Sequence, residues 1–307
     1  MILDICGACN AQCPFCPRIH MPEERARGFM DRETFDISVS QAESMGITDV
    51  RLYATAEPTL HPQFAEYVSI LKDKNFFVTV STNASMLYKH FEVLSRVDYL
   101  QYSIEGWDKE SYEKFRYPLK FDIVKRNIEE FWNYIRDHSQ RPLINCNLLA
   151  TQSVNIDEFF ACWADFVDQI SISPLMTTTR YDTKSGKFIS ELNSDIQTDY
   201  YDHERDLTRF CTYPFTYITV AFDGKLALCC ADFSAEINLG YISDGIENWK
   251  NNQLMKKIRH QFSPFGKKDM CAGCNFFLRP TQSTISALSE QVEKLPVHYK
   301  SKAKLAY

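Results

Sequence analysis

No run of 18 apolar residues occurs anywhere in the 307-residue sequence, so a membrane-spanning helix of ordinary length is excluded. The opening residues, Met-Ile-Leu-Asp-Ile-Cys-Gly-Ala, are too few and too acidic for a secretory leader, and the expectation is a cytoplasmic protein. A basic excess is also missing. The net charge is -6 with both signs interspersed, so no nucleic-acid footprint and no membrane partner are expected. What the chain does have is cysteine: eleven of them, which in a long sequence without a leader point to metal or redox chemistry rather than disulfides.

Three of these lie within eight residues, Cys9-Asn-Ala-Gln-Cys13-Pro-Phe-Cys16. Thiolates are soft ligands that select zinc or iron-sulfur centres, and the x3 then x2 spacing lets one loop bring all three to one centre. Local sequence supplies no fourth thiolate. His20 could close a four-coordinate zinc site, whereas a 4Fe-4S cube on three cysteines leaves one iron open for another ligand.

Residues 1–176 alternate strand-length apolar runs with helical patterns, the mark of repeated βα units and a parallel sheet. Six strands are expected, at 2–6, 49–54, 76–81, 99–104, 143–149 and 169–173. Helices are expected near 32–45, 62–74, 86–95, 108–136 and 156–166. Six units are too few for a closed eight-stranded barrel of ~250 residues, so an open partial barrel follows. Alternation along each strand then sorts the side chains by face. The lumen candidates are polar: Tyr53, Thr55 and Glu57; Thr79, Ser81 and Asn83; Gln101, Ser103 and Glu105; Asn145 and Asn147; Ser171 and Ser173. A packed barrel core would be aliphatic at these positions, so a polar lumen argues for a bound polar ligand at the carboxyl ends of the strands. Tyr53, Gln101 and Glu105 are the candidates for binding substrate hydroxyls or amines. Cys146 and Cys162 are expected to be buried core thiols.

The spacing Cys9-x3-Cys13-x2-Cys16 with Phe15 before the last cysteine resembles the radical S-adenosylmethionine (SAM) superfamily, and the likeness extends to three strand ends. Thr55-Ala56-Glu57-Pro58 stands where that family has Gly-Glu-Pro, with Ala56 in place of glycine. Ser81-Thr82-Asn83 and Ser103-Ile104-Glu105-Gly106 match two further family segments. The resemblance implies a 4Fe-4S cluster on Cys9, Cys13 and Cys16. It also implies SAM contacts from Phe15, Thr55, Glu57, Asn83, Ser103 and Asn147.

Residues 177–208 read as a linker leaving the lumen side of strand six, which makes Arg180 a candidate catalytic or substrate-contacting group. Beyond it, Cys211, Cys229, Cys271 and Cys274 form a second set. Asp223-Gly224 sits between apolar runs as a hairpin turn, and 246–260 reads as one amphipathic helix. Four thiolates ending in Cys-x2-Cys suit zinc by ligand type. The order Cys211-x12-Gly224-x4-Cys229 followed by Cys271-x2-Cys274 resembles instead the SPASM auxiliary-cluster module in its shortened twitch form, and so implies a second 4Fe-4S cluster. Cys230, beside Cys229, is left as a hydrogen donor, a spare ligand or an outward strand residue.

The sequence therefore predicts an α/β protein with a partial (β/α)6 radical SAM barrel at 1–176 and a linker at 177–208. A twitch domain with a hairpin and a helix follows at 209–276, then a C-terminal tail at 277–307. By that resemblance the activity is generation of a 5'-deoxyadenosyl radical that takes hydrogen from a small hydroxylated substrate, a sugar or aminocyclitol, and oxidises a secondary alcohol. An external one-electron reductant such as flavodoxin or ferredoxin is implied. Within the class the alternatives are sugar epimerisation and peptide maturation. Outside it they are a zinc-binding or electron-carrier protein. Anaerobically reconstituted protein is expected to hold roughly eight irons, two 4Fe-4S cubes, and the triple variant lacking Cys9, Cys13 and Cys16 about half of that with no SAM cleavage. Zinc in place of iron would refute this assignment.

Overall fold

The computed structural model describes residues 1–16, 18, 21–54, 56–150, 154–174, 181–182, 187–188, 212–260 and 282–306. All six expected strands form: β1 (Ile2–Leu3), β2 (Asp49–Leu52), β3 (Phe77–Thr82), β4 (Tyr99–Ser103), β5 (Leu143–Ala150) and β6 (Gln169–Pro174). Each is parallel to the next, with Arg51 opposite Thr79, Ser81 opposite Gln101 and Ser103 opposite Asn147. Helices α1 (Arg32–Ser44), α2 (Phe64–Asp73), α3 (Phe91–Leu94), α4 (Lys109–Phe115), α5 (Phe121–Ile135) and α6 (Ile156–Trp163) cover the outer face. Their starts follow local chemistry. Asp31 accepts from the Thr34 amide at 2.7 Å, Asp108 from the Ser111 amide at 2.8 Å, and Asn155 from the Glu158 amide at 3.3 Å.

Strand alternation sorts the faces as expected. Val78, Val80, Leu100, Ile144, Leu148, Ile170 and Ile172 are fully buried under the helices, and Cys146 sits among them. Cys162 is only half-buried, on the flank of α6 rather than in the core. Two further expectations change for local reasons. The single helix expected over 108–136 is two, α4 and α5, because Pro118 lies between them and cannot continue the ladder. The helix expected over 246–260 divides into Ile246–Asn251 and Gln253–His260, where the Asn252 side chain accepts from the Leu254 and Met255 amides and starts the second.

The sheet extends past the six units at both edges. Tyr181–Asp182 (β7) and Lys187–Phe188 (β8) form a separate antiparallel pair. The hairpin of β9 (Thr219–Val220) and β10 (Leu226–Ala227), turning at Gly224 with φ +78°, lies parallel against β1 and continues the barrel sheet. Its backbone takes the free side of the first strand: the Ile2 and Asp4 amides donate to the Ile218 and Val220 carbonyls, both at 2.8 Å. At the far edge β11 (Ala303–Leu305) lies parallel to β6, preceded by a helix at Gln282–Lys294. The result is one sheet in the order β10-β9-β1-β2-β3-β4-β5-β6-β11. Both long edges of the six-stranded core are thereby covered, and the sheet ends instead on the short strands β10 and β11, which shortens the exposed pairing surface. Among the described residues no helix is long and apolar enough to cross a membrane.

Leu100→Ala, in the middle of β4, is expected to lower unfolding free energy by about 2–5 kcal/mol. Ser81→Ala on the inner face should cost less, about 1–2 kcal/mol, for its two long, partly exposed hydrogen bonds to Ser103 and Gln101. Urea titration of the two variants distinguishes the apolar outer face from the polar inner one.

Candidate metal centre and cofactor pocket

The loop carrying Cys9, Cys13 and Cys16 begins where β1 ends and is fastened on several sides. The Glu57 amide donates to the Ala8 carbonyl at 3.1 Å, the Gln12 amide to Tyr117 at 2.6 Å, and the Gly7 amide to Gly28 at 2.8 Å. Arg18 donates to the Gly7 and Ala26 carbonyls, each at 2.8 Å. Asn10 lies between Ser85 and Asn83, bonded to each at 2.9 Å. The loop is thus a fixed rim on the carboxyl ends of β2, β3 and β4.

Under that rim lies a cavity of about 250 Å³. Its wall includes all three thiols together with Phe15, Tyr53, Glu57, Asn83 and Ser103, each assigned from the sequence to the cofactor or the substrate. Gln101, Glu105 and Asn147 are not part of the wall. Gln101 is engaged in a row that crosses the inner face: the Ser103 and Ser81 hydroxyls are 3.2 Å apart, Gln101 reaches Ser81 and Asn145 at 3.4 Å each, and Ser171 donates to Asn145 at 2.8 Å. Glu105, read from the sequence as a substrate group, is buried and ion-paired with Arg116 instead. Parity aims Glu105 inward, and a buried carboxylate so close to a guanidinium pairs with it rather than with a ligand. Thr55, Arg180, Cys211, Cys271, Cys274 and His20 lie outside the described residues.

Glu57 is also tied down. Its carboxylate accepts from the Thr59 amide and hydroxyl, from the Thr82 hydroxyl at 2.7 Å and from the Asn83 amide at 2.7 Å. Burial pushes its pKa up, and these donors act in the opposite direction. Tyr53, at the mouth of the cavity, accepts from Arg51 at 3.4 Å, and its phenol is raised first by burial, with Cys230 and Tyr217 adding to the rise. Cys230 acts on Tyr53 electrostatically but is not part of the wall.

Arg116, Phe222 and Arg25, which sequence reasoning did not single out, shape the site together with Asp223. Arg116, at the end of α4, donates to Cys13 Sγ at 3.5 Å and lies 5.5 Å from the centre of the Phe15 ring. Phe222 and Asp223, at the tip of the β9–β10 hairpin, plug the cluster loop from behind: a Cβ at Gly28 would overlap the Phe222 ring, and one at Gly7 would meet the same ring. Arg25, buried, lies over Phe222 at 4.6 Å and pairs with Asp223 at 2.5 Å. Only the Asp223-Gly224 turn signal hinted at any of this.

The donor set fits an iron-sulfur cube. Among the described residues the three thiols line the wall of one cavity. A cube takes one thiolate at each of separate corners. Burial pushes Cys9 up to about 11 and Cys16 up to about 12, and raises Cys13, so each is a neutral thiol until a metal displaces its proton.

Comparison with known proteins gives two domain matches along the chain. Residues 3–144 match the radical SAM superfamily and residues 211–275 an iron-sulfur cluster-binding domain of the SPASM type. A tungsten-containing aldehyde ferredoxin oxidoreductase cofactor-modifying protein of Pyrococcus furiosus is 31% identical over 88 residues, 28% of this chain and 24% of that protein. The match therefore spans about a quarter of that relative. BtrN, solved with AdoMet and 2-DOIA, superposes with a TM-score of 0.57 at 14% identity, covering 89% of this chain and 91% of its own. SuiB of Streptococcus suis, bound to the precursor peptide SuiA, gives 0.61 at 16% identity, covering 84% of this chain and 66% of its own. At these identities the solved structures establish the fold.

Gly28→Ala is expected to unseat Phe222 and loosen the loop, so that the protein retains less iron on Cys9, Cys13 and Cys16. Adding Phe222→Ala should restore part of that iron by making room. If the double variant holds no more iron than Gly28→Ala alone, the plug does not govern the loop.

Proposed function

We propose that this chain, which carries a radical SAM domain followed by a SPASM iron-sulfur domain, oxidises a secondary alcohol of a small hydroxylated substrate such as a sugar or aminocyclitol. The observation that supports this reading is the character of the cavity and of the sheet beside it. The three thiols share their wall with Tyr53, Asn83 and Ser103, and the adjoining inner face carries hydroxyl and amide side chains where a packed barrel would carry aliphatic ones. The likeness of the second cysteine set to that of 2-deoxy-scyllo-inosamine dehydrogenase points the same way.

When bound, SAM and the two clusters supply the hydrogen-abstracting radical and an acceptor for the electron the substrate must lose. The chain's own residues do the positioning. Cys9, Cys13 and Cys16 hold the first cluster, while Cys211, Cys229, Cys271 and Cys274 are assigned to the second. Phe15 would offer its backbone to the adenine. Asn83 and Ser103 in the wall, and Thr55, would be the polar contacts for the rest of SAM, with Asn147, opposite Ser103 and outside the wall, a further candidate; Glu57 would contribute its backbone, since its carboxylate is already occupied by four donors. Tyr53, raised above its ordinary pKa and so protonated at neutral pH, donates to a substrate hydroxyl. Arg180 is the candidate to contact the alcohol oxygen as a hydrogen-bond donor; its guanidinium is already protonated, so the alcohol proton leaves to solvent water. A small-molecule substrate and a one-electron donor such as flavodoxin or ferredoxin are the partners this chemistry requires.

A second reading, epimerisation, is favoured by one observation: Cys230 lies close enough to Tyr53 to raise its pKa. A thiol there could return a hydrogen atom to the opposite face of the substrate carbon. Turnover in deuterated water separates the two. Oxidation is expected to give a carbonyl product with no solvent deuterium at that carbon and one SAM consumed per turnover. A deuterium-labelled, otherwise unchanged product that disappears in Cys230→Ala while SAM cleavage continues would replace dehydrogenation by epimerisation.

A further inference from the structure

Arg116 and Glu105 form an ion pair with almost no access to water; their side chains are 10% and 3% exposed. One end of the guanidinium is held by Glu105, and Nη1 donates to Cys13 Sγ at 3.5 Å. The Phe15 ring lies 5.5 Å from its centre, and the group forms part of the cavity wall. The backbone also supports the arrangement. The Arg116 amide continues α4 by donating to Tyr112 at 2.9 Å, and the Leu119 amide donates to the Arg116 carbonyl at 2.9 Å, so the side chain springs from a fixed helix end.

Stability is a weak reason for such a pair. Removing two charges from water costs several kcal/mol per ion, and well-packed apolar residues of the same size often do as well or better. The pair is placed instead where a charge has chemical leverage. A cation, or an N–H donor, against a cluster thiolate stabilises the added electron of the reduced state, because hydrogen bonds to sulfur and local net charge set iron-sulfur potentials. A carboxylate behind that cation tempers its effect.

We propose that Arg116 and Glu105 together set the reduction potential of the cluster held by Cys9, Cys13 and Cys16: Arg116 raises it through Cys13, and Glu105 restrains Arg116. The proposal rests on the reading that Cys13 is a cluster ligand. Both are positioning residues, acting through Cys13 and not on the substrate.

The two members should act with opposite sign. Arg116→Gln removes the cation and is expected to make one-electron reduction of the first cluster about tenfold less favourable, a fall of about 59 mV at 25 °C. Glu105→Gln leaves the guanidinium uncompensated and should shift the potential by a similar amount upward. Arg116→Lys keeps the charge and should recover at least half of the loss. The measurement is a dithionite titration of the reconstituted protein followed by electron paramagnetic resonance, reading the signal that changes when SAM is added and so belongs to the cluster with the open iron. Damage to the fold would lower the signal in every variant without separating their midpoints. If Arg116→Gln and Glu105→Gln move the midpoint in the same direction, or neither moves it, the assignment is wrong. If the wild-type protein shows no SAM-responsive cluster, the reading beneath it fails as well.

Discussion

The carboxylate of Glu57 is the fixed point on which the site depends. Four donors from Thr59, Thr82 and Asn83 converge on it, and the amide of the same residue reaches the Ala8 carbonyl at the root of the cysteine loop. One side chain thereby joins the end of β2, the end of β3 and the loop that carries the thiols. A buried carboxylate without such partners would be costly, so satisfying it forces three segments into one arrangement. Asn83 then passes the order onward, through Asn10 and Ser85, to the middle of the loop.

Behind that fixed point the second half of the chain acts as a brace. The β9–β10 hairpin is hydrogen-bonded to β1, and its tip presses Phe222 into a slot that only glycine at positions 7 and 28 leaves open. Arg25 closes the slot from the other side by covering the ring and pairing with Asp223. Cys229 follows β10 within two residues. The same short hairpin therefore touches the first cysteine loop at one end and enters the second cysteine set at the other. The two halves of the chain share one sheet, and the hairpin that leads to Cys229 also braces the first cysteine loop.

The polar inner face carries a different lesson. Ser81, Gln101, Ser103, Asn145 and Ser171 satisfy one another across four strands, so the lumen is pre-organised before any ligand enters. Hydroxyls and amides already held in place lose little freedom on binding, which favours a small polar ligand that exchanges one hydrogen-bond network for another.

Much of this was legible in the sequence, for physical reasons. The spacing of Cys9, Cys13 and Cys16 constrains a short loop to one centre whatever surrounds it, and the period of two in a strand separates core from lumen without reference to the rest of the chain. Those rules placed the six strands, the buried Cys146 and the polar row. They also aimed Glu105 inward and missed its partner, because the guanidinium that takes it comes from the end of the following helix, 11 residues on, and strand parity says nothing of where that end arrives. Phe222 and Gly28, like Arg25 and Asp223 at a separation of 198 residues, meet only because the hairpin chooses the free edge of β1. Local chemistry, spacing and periodicity were thus determined by the sequence alone. Which charges face each other, and which glycine must stay a glycine, was decided by the tertiary structure, since these depend on where distant segments arrive and not on their neighbours along the chain.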